Sequence, residues 1–441
     1  MLTSKTIISV LPQSFKRIFI AYSGGVDSHV LLDLTSSITE IKTKIIAVYV
    51  DHGLQSESAS WTKHCQAVCL ALDVKFHTIK VNAQRSAGQS QEEVARDARY
   101  HALRELLSKD DVLLVAQHQE DQMETVLLQL FRGAGVQGLS GMPVSMNFGK
   151  GLMCRPFLDV SKQAINNYAE KNNLHWIEDP SNASDEFKRN FLRNKIVPQL
   201  KQHWPALDKT ITRSARHCAN SHKLLQGLAK ALMKPLYDDG DLTLNITGLL
   251  KLEYEKQSLV LRQWLADKQL KMPSEKNLNR IINEVALAKQ SASPEVQLKG
   301  FCIRRYRNKL YCLKTISPID AGNVQSWATE QQQIELKDGR VITLINSSKG
   351  IPKKRWENSQ VLLKFRQGAE RIVLPDREGG RSLKKIFQEK SVPPWERNNV
   401  PLIYLNGRLA VVVGYWISAE VYESDGDCYQ IDVLNTGNYD T

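Results

Sequence analysis

Over roughly its first third the chain alternates short β-branched runs with helical patterns, and few folds accommodate that order. Arg17–Tyr22 (RIFIAY) reads as a buried strand, and Lys44–Val50, Val74–Val81 and Val112–Ala116 read as three more. Between and after them, His29–Ser36, Ala59–Leu72, Gln91–Leu107 and Asp121–Leu130 carry helical patterns. Strands and helices in that alternation predict a doubly wound parallel sheet, an α/β domain. Ligands of such sheets bind outside the carboxyl ends of the strands, so the residues that follow each strand are the ones to read for chemistry.

The rest of the 441-residue chain has a different texture. Gly133–Gly151 is rich in glycine and reads as a mobile loop, and Ser161–Lys171 and Arg193–Leu207 read as helices. His217–Leu236, Leu252–Lys268 and Ser274–Lys289 are amphipathic, with Pro273-Ser274 a cap for the last. From about Pro294 the pattern turns alternating and β-rich, as in Phe301–Leu313 and Arg340–Ile345. Lys349-Gly350-Ile351-Pro352 reads as a linker. The expected organisation is a catalytic domain over 1–215, a mainly helical middle domain over 216–348 and a small α+β domain over 353–441.

Charge narrows the partners. With 59 Lys+Arg against 47 Asp+Glu the chain carries a formal +12, which favours polyanions. Lys188–Arg216 holds eight basic residues and one acid, Asp208, and Lys353–Arg397 holds twelve basic and six acidic residues. Aromatic residues interleave with or flank both stretches, a mixture suited to phosphate neutralisation and base stacking. A solvated helix face with a few core aromatics explains either stretch alone equally well. The longest apolar stretch, Leu409–Ile417, falls far short of the roughly 20 residues of a spanning helix, and the N-terminus lacks the apolar run of a secretory signal. Seven scattered cysteines with no Cys-x-x-Cys pair argue against a disulfide framework, a zinc ribbon or a thiol-redox motif. The expectation is a cytoplasmic protein with no membrane partner.

The strongest local signal is Ser23-Gly24-Gly25-Val26-Asp27-Ser28, between a strand and a helix. Glycines let successive N–H groups face one anion, the helix N-terminus adds partial positive charge, and Asp27 can hold Mg²⁺. The segment lacks the Gly-Lys-Ser/Thr ending of a Walker loop. Asp51-His52 at the next strand end suits a contact to a nucleoside, although His52 could simply cap a turn. Arg96 and Arg99, three apart on a helix, form either a functional pair or a salt-bridged surface. Asp121 and Glu124, also three apart, project together from a helix N-terminus, where they could bind an ammonium group, bind a metal or accept a proton. Their plain alternative is acids that favour the helix dipole.

Ser23–Ser28 resembles the SGGxDS loop of the ATP pyrophosphatase superfamily, which cleaves ATP between its α and β phosphates to make adenylated intermediates. The ordered set SGGVDS, DHGL, EEVARDARY, QHQEDQMETVLLQLFRGAGVQGLSGM and RPFLDV resembles the bacterial tRNA(Ile)-lysidine synthetases. WIEDPSN, RNFLRN and, across 362–416, LKFRQGAER, GGRSLKKIFQEKSVPPWERNNVPLIY and GYW extend the likeness to nearly the whole chain. Glu120 departs from the pattern, standing where many relatives have Asp, and retains the charge.

That resemblance implies an ATP- and Mg²⁺-dependent ligase. It would join free L-lysine to C2 of cytidine 34 in CAU-anticodon tRNA(Ile), through an adenylated cytidine, and the tRNA would then read AUA. It implies ATP contacts at Ser23, Gly24, Gly25, Val26, Asp27, Ser28, Asp51 and His52, with Asp27 and Asp121 as metal partners. Asp121 and Glu124 would handle lysine, and whether Asp121 serves the metal, the amine or both stays open. Arg96 or Arg99 would lie near the reacting phosphate or base. Arg189, Arg193 and Lys195 would follow the anticodon stem, and Arg371, Lys384 and Lys385 would reach toward the acceptor stem. The resemblance also allows a homodimer. The competing readings are a tRNA 2-thiolating enzyme of the same superfamily, a small-molecule amidotransferase partner and an inactive tRNA-binding module.

Overall fold

The computed structural model describes residues 2–53, 58–82, 91–178, 180, 184–185, 187–270, 272–289, 292–314, 324–374 and 379–434. Two compact units divide the chain, Met1–Gly227 and Leu228–Thr441.

The first unit is built on six strands: β1 (Ile18–Ala21), β2 (Ile45–Asp51), β3 (Lys75–Lys80), β4 (Val112–Leu114), β5 (Ser145–Phe148) and β6 (Gly151–Cys154). Their spatial order is β3-β2-β1-β4-β6-β5, parallel throughout except for the antiparallel pair β5–β6. The helices are α1 (Ser4–Ile8), α2 (Val26–Ser36), α3 (Ser58–Ala71), α4 (Gln91–Leu106), α5 (Gln119–Phe131), α6 (Val136–Leu139) and α7 (Lys162–Lys171). Side chains of the central strands alternate between two cores. Ile18, Ile20, Val112 and Leu114 face one core with Leu31, Cys65 and Ile165, whereas Phe19 and Leu113 face the other with Leu103 and Leu107. A strand buried on both faces needs apolar residues at every position, which is why β1 and β4 read as unbroken apolar runs. The strand order reverses between β1 and β4, and this switch point fixes where a ligand crevice opens.

Two expectations change here. Gly133–Gly151 is not simply a loop: it forms α6 and the hairpin strand β5, which pairs Ser145 with Cys154 and Phe148 with Gly151. The expected helix over Arg193–Leu207 is a π-helical turn at Leu192–Ile196 followed by α9 (Val197–His203), with α8 (Lys188–Phe191) directly before them. It stops at Trp204 because Pro205 disfavours helical geometry in the residue before it. α10 (Leu207–Met233) follows.

In the second unit β7 (Tyr237–Asp238), β8 (Thr243–Asn245), β9 (Glu295–Leu298), β10 (Phe301–Tyr306) and β11 (Lys309–Lys314) make a sheet of order β7-β8-β11-β10-β9. The helices α11 (Ile246–Leu250), α12 (Tyr254–Asp267) and α13 (Glu275–Arg280) pack on it through Leu249, Val260, Trp264 and Leu278 against Ile303 and Leu310. The C-terminal part adds β12 (Gln325–Trp327), β13 (Gln333–Glu335), β14 (Val341–Ser347), β15 (Ile351–Pro352), α14 (Lys353–Glu357), β16 (Val361–Lys364), β17 (Arg371–Ile372) and β18 (Arg381–Ser382). It continues with α15 (Leu383–Glu389), α16 (Pro394–Arg397), β19 (Leu402–Leu405), β20 (Arg408–Val412), β21 (Trp416–Ile417) and β22 (Cys428–Leu434). These strands form two main sheets, β12-β16-β19-β20-β21 and β13-β14-β22-β15. The expected linker at 349–352 therefore lies inside a sheet. β12 and β14 precede it yet pair with β16 and β22 beyond it, and Gly350 exchanges two backbone hydrogen bonds with Glu423. Gly350 sits at φ +141°, with the Tyr429 carbonyl oxygen 2.3 Å from where a Cβ would stand, so only glycine fits. Among the described residues no helix is long and apolar enough to cross a membrane.

One ion pair ties the sheet together at the end away from the crevice. Arg17 donates Nε to Asp111 Oδ1 at 3.0 Å and Nη2 to Asp111 Oδ2 at 2.6 Å, and Ser108 N–H adds a third bond at 2.8 Å. Burial alone would raise the Asp111 pKa, but Arg17 and Ser108 hold it below the ordinary carboxylate range. Because the folded-state pKa is depressed, the stabilisation is present at neutral pH and is lost as pH falls through that lowered value. Asp111→Ala should therefore cost about 2 kcal/mol in urea denaturation at pH 7. The difference between the two proteins should shrink only at strongly acid pH.

Candidate active site

Between β1 and α2 the chain makes a loop that is tied to itself. Ser28 Oγ donates to the Gly25 carbonyl at 2.9 Å, accepts from Ser23 N–H at 3.2 Å and lies 3.1 Å from Ser23 Oγ. Gly24 adopts φ +83°, and a Cβ there would stand 2.7 Å from Ile177 Cδ1 and 3.0 Å from Cys65 Sγ. Ile177 N–H donates to the Gly24 carbonyl at 2.9 Å, so the segment before Glu178 is pinned on the loop. Asp179, Ser181 and Asn182, from the motif that continues it, lie outside the described residues. The result is a fixed loop that leads into the N-terminus of an 11-residue helix, an arrangement suited to phosphate.

One strand over, β4 delivers His118 and the first turn of α5. His118 is buried, with Nε2 3.8 Å from Asp27 Oδ2 and 3.5 Å from Asp121 Oδ2, and Nδ1 3.2 Å from Glu120 Oε2. Burial pushes its pKa down, but the three carboxylates outweigh burial and raise it. His118 N–H also donates to Asp121 Oδ2 at 3.1 Å, which fixes that carboxylate. Glu120 accepts from Lys162 N–H at 2.9 Å; burial would raise its pKa, yet His118 and this bond bring it down to about 2.

The cations come from residues 162–201. Lys162 Nζ lies 2.5 Å from Asp27 Oδ1. Arg193 forks across both of the paired acids: Nε meets Glu124 Oε1 at 2.6 Å, and Nη2 meets Glu124 Oε2 at 2.8 Å and Asp121 Oδ1 at 2.9 Å. Arg189 Nε stands 3.6 Å from Glu124 Oε2 and its Nη2 donates to Thr125 Oγ1 at 2.7 Å. Lys201 Nζ is 3.8 Å from Glu120 Oε1. Glu124 is 1% exposed; desolvation raises its pKa, and Arg193 offsets that rise only in part.

The structure thus brings together Ser23–Ser28, Asp27, Asp121 and Glu124, as the sequence predicts. Arg189 and Arg193, expected along the tRNA, are bonded to these acids, and Lys195 lies 3.3 Å from Asp185. Arg96 and Arg99 lie on α4 in the same unit. Arg96 lies over the Tyr100 ring at 5.2 Å, and the charge of Arg99 reaches His52. Asp51 Oδ1 accepts from Gly53 N–H at 2.9 Å, while His52 Nδ1 is buried with no hydrogen-bond partner among the described residues. Burial, then Arg99, lowers the His52 pKa, so the ring is neutral and has a polar atom to offer a ligand. Sequence reasoning missed His118, Lys162 and Lys201. His118 was in view within the QHQED segment, and Lys162 stands two residues beyond RPFLDV. Its pairing with Asp27, 135 positions away, left no local signal.

Asp27 and Asp121 both present hard oxygens to Nε2 of the His118 ring, whereas among the described residues no group of three or more His, Cys, Asp or Glu could hold a metal alone. One or two carboxylates completed by substrate phosphates is the way Mg²⁺ is ordinarily bound, and the residues fit that pattern.

Comparison with known proteins bears on the family of the chain. Residues 3–200 match the PP-loop domain family, 244–311 the TilS substrate binding domain and 361–433 the TilS substrate C-terminal domain. The tRNA(Ile)-lysidine synthase of Coxiella burnetii is 39% identical over 92% of this chain and 90% of its own. That of Methylococcus capsulatus is 37% identical over 91% of this chain and 92% of its own. The chain belongs to the tRNA(Ile)-lysidine synthase family. Among solved structures, the U34-tRNA thiolase of Methanococcus maripaludis covers 48% of this chain and 77% of its own at 16% identity and a TM-score of 0.40.

In this member of the lysidine synthase family the conformation of the PP loop depends on Gly24. Gly24→Ala adds a left-handed strain and a contact beneath the loop, at a cost of about 1–2 kcal/mol. Equilibrium titration should show ATP affinity reduced about tenfold, since 1.4 kcal/mol is a factor of ten, with the far-UV spectrum unchanged.

Proposed function

We propose that this chain ligates L-lysine to cytidine 34 of CAU-anticodon tRNA(Ile) in two steps. ATP first adenylates the cytosine C2 oxygen and releases pyrophosphate. The ε-amine of lysine then attacks C2, and the C2 oxygen leaves with AMP. The observation that carries this reading is the meeting of the PP-loop aspartate Asp27 with the acids of α5 around His118, at the switch point of the sheet.

Ser23–Ser28 would bind the phosphates, with Asp51 and His52 toward the adenosine. Asp27 and Asp121 would hold Mg²⁺, which offsets negative charge on the phosphates when bound. Lysine arrives with an amine of ordinary pKa ~10.4 and must give up a proton before it attacks. Glu124, buried and with its pKa raised, is a better acceptor than an exposed carboxylate. Arg193 bridges Glu124 and Asp121, and Arg189 approaches Glu124, which would hold the two carboxylates in place. Arg96 and Arg99 would serve the polynucleotide side of the crevice, and Lys195 the anticodon stem.

Lys384 and Lys385 are exposed on α15, whose other face buries Leu383, Ile386 and Phe387. Arg371 is exposed on β17 and donates to the Gly380 carbonyl. These three would contact the tRNA backbone farther from the anticodon. Against sulfur transfer, five of the seven cysteines, Cys65, Cys69, Cys154, Cys302 and Cys428, are buried, burial pushes Cys65 and Cys69 up to about 12, and the half-buried Cys218 and Cys312 are far apart in the chain. The reaction would take place in the cytoplasm, with its tRNA.

Incubation with ATP, Mg²⁺, radiolabelled lysine and tRNA(Ile) transcript should leave label on the tRNA, and replacement of cytidine 34 by uridine should abolish it. Label on the uridine transcript would overturn the reading. Charge reversal at Arg371, Lys384 and Lys385 should weaken tRNA binding in a filter assay by at least tenfold and flatten its salt dependence. ATP affinity should not change.

A further inference from the structure

We infer that Lys162 is a mobile counter-ion of the nucleotide site, which neutralises Asp27 in the nucleotide-free enzyme and passes to the polyphosphate of ATP when it binds. The inference rests on the nucleotide role proposed above for Ser23–Ser28.

Three observations carry it. The Lys162 ammonium lies 2.5 Å from Asp27 Oδ1, the carboxylate that would take the metal with ATP. The two side chains are 34% and 31% exposed, so the pair opens to the crevice and can be broken without a large desolvation cost. The backbone of Lys162 is meanwhile anchored at the start of α7. Its N–H donates to Glu120 Oε2 at 2.9 Å, and Ser161 Oγ caps the helix by accepting from Ala164 N–H at 3.3 Å. Only the four-carbon stem is free to move, a task that suits the single rotatable charge of lysine better than the planar fork of arginine.

The charge accounting gives a direction. Asp27 occupies the first turn of α2, directly after the loop Ser23–Gly25. A divalent cation that arrives with ATP competes for Asp27 Oδ1 and repels the ammonium. The nearest uncompensated negative charge is then the polyphosphate on the same loop. Lys162 would thus release Asp27 and hold the β and γ phosphates in one movement, and it would contact the leaving pyrophosphate. In the free enzyme the same lysine suppresses metal binding without nucleotide.

The test uses Lys162→Met, which keeps the stem and removes the charge, with Lys162→Arg as the conservative variant. Direct binding is read out, not turnover. Loss of one charge-assisted phosphate contact should weaken ATP about tenfold or more, while AMP, which lacks the β and γ phosphates, should bind unchanged. Mn²⁺ binding to the nucleotide-free protein, followed by electron paramagnetic resonance, should tighten in Lys162→Met and stay weak in Lys162→Arg. Lys162→Arg should recover part of the ATP affinity.

Equal loss of ATP and AMP, or Mn²⁺ binding that does not respond to Lys162→Met, would reduce Lys162 to a structural ion pair and overturn the inference. The proposed function fails separately. A protein that shows the ATP-over-AMP discrimination but transfers no lysine refutes that reading and leaves Lys162 assigned. One that transfers lysine with an indifferent Lys162→Met does the reverse.

Discussion

Four carboxylates, Asp27, Glu120, Asp121 and Glu124, converge at the carboxyl ends of β1 and β4, and the surrounding structure depends on keeping them neutralised. Like charges 4 Å apart repel by about 4 kcal/mol at an effective dielectric of 20, so bare acids at this density would drive the first turn of α5 away from the PP loop. Each acid has a cation supplied by another element. Lys162 comes from the start of α7, Arg189 from α8, Arg193 from the π-helical turn and Lys201 from α9. Residues 188–201 therefore dock for electrostatic reasons as much as apolar ones, the latter being the packing of Leu192 and Val197 on Met123 and Leu127.

This constraint sorts the basic residues of the chain. Within Lys188–Arg216, Arg189 and Arg193 are engaged by the buried acids, and Arg216 pairs with exposed Asp159. In the second unit Lys384 and Lys385 stand exposed, with a hydrophobic face of α15 behind them. The net charge of +12 therefore overstates what the first unit can offer a polyanion near the acids. Arginine suits the inner role because one guanidinium can bridge Asp121 and Glu124 with fixed geometry, which a point charge cannot do.

The parallel sheet was legible in sequence because its physics is local. β1 and β4 are buried on both faces, which leaves continuous apolar runs, and the loop Ser23–Ser28 must follow a strand and precede a helix to work at all. The paired acids could be read from their spacing on α5. The partners of those acids could not: Lys162 and Asp27 are 135 positions apart, and Arg193 and Glu124 are 69 apart. The linker expected at 349–352 failed for a related reason. β14 and β22 pair across more than eighty residues, and a strand edge bounded by glycine has the same local pattern as a flexible joint. Arg96 and Arg99 share a helix face as their spacing requires, but spacing does not reveal that one stacks on Tyr100 and the other approaches His52.

His118 shows how the two halves of the crevice are joined. Its ring faces Asp27 from the PP loop and Asp121 from the acid pair through the same Nε2, while Nδ1 faces Glu120. Because the ring is buried, the field of each carboxylate on it is weakly screened, and a change of charge at Asp27 is felt at Asp121. The proposed chemistry needs such a link, since the adenylated oxygen and the attacking amine must meet at one carbon although they are held by different elements. A neutral side chain at position 118 would leave the two acids to repel each other across a buried gap. An imidazole can carry one positive charge on two nitrogens, and that is what a site bounded by three carboxylates requires.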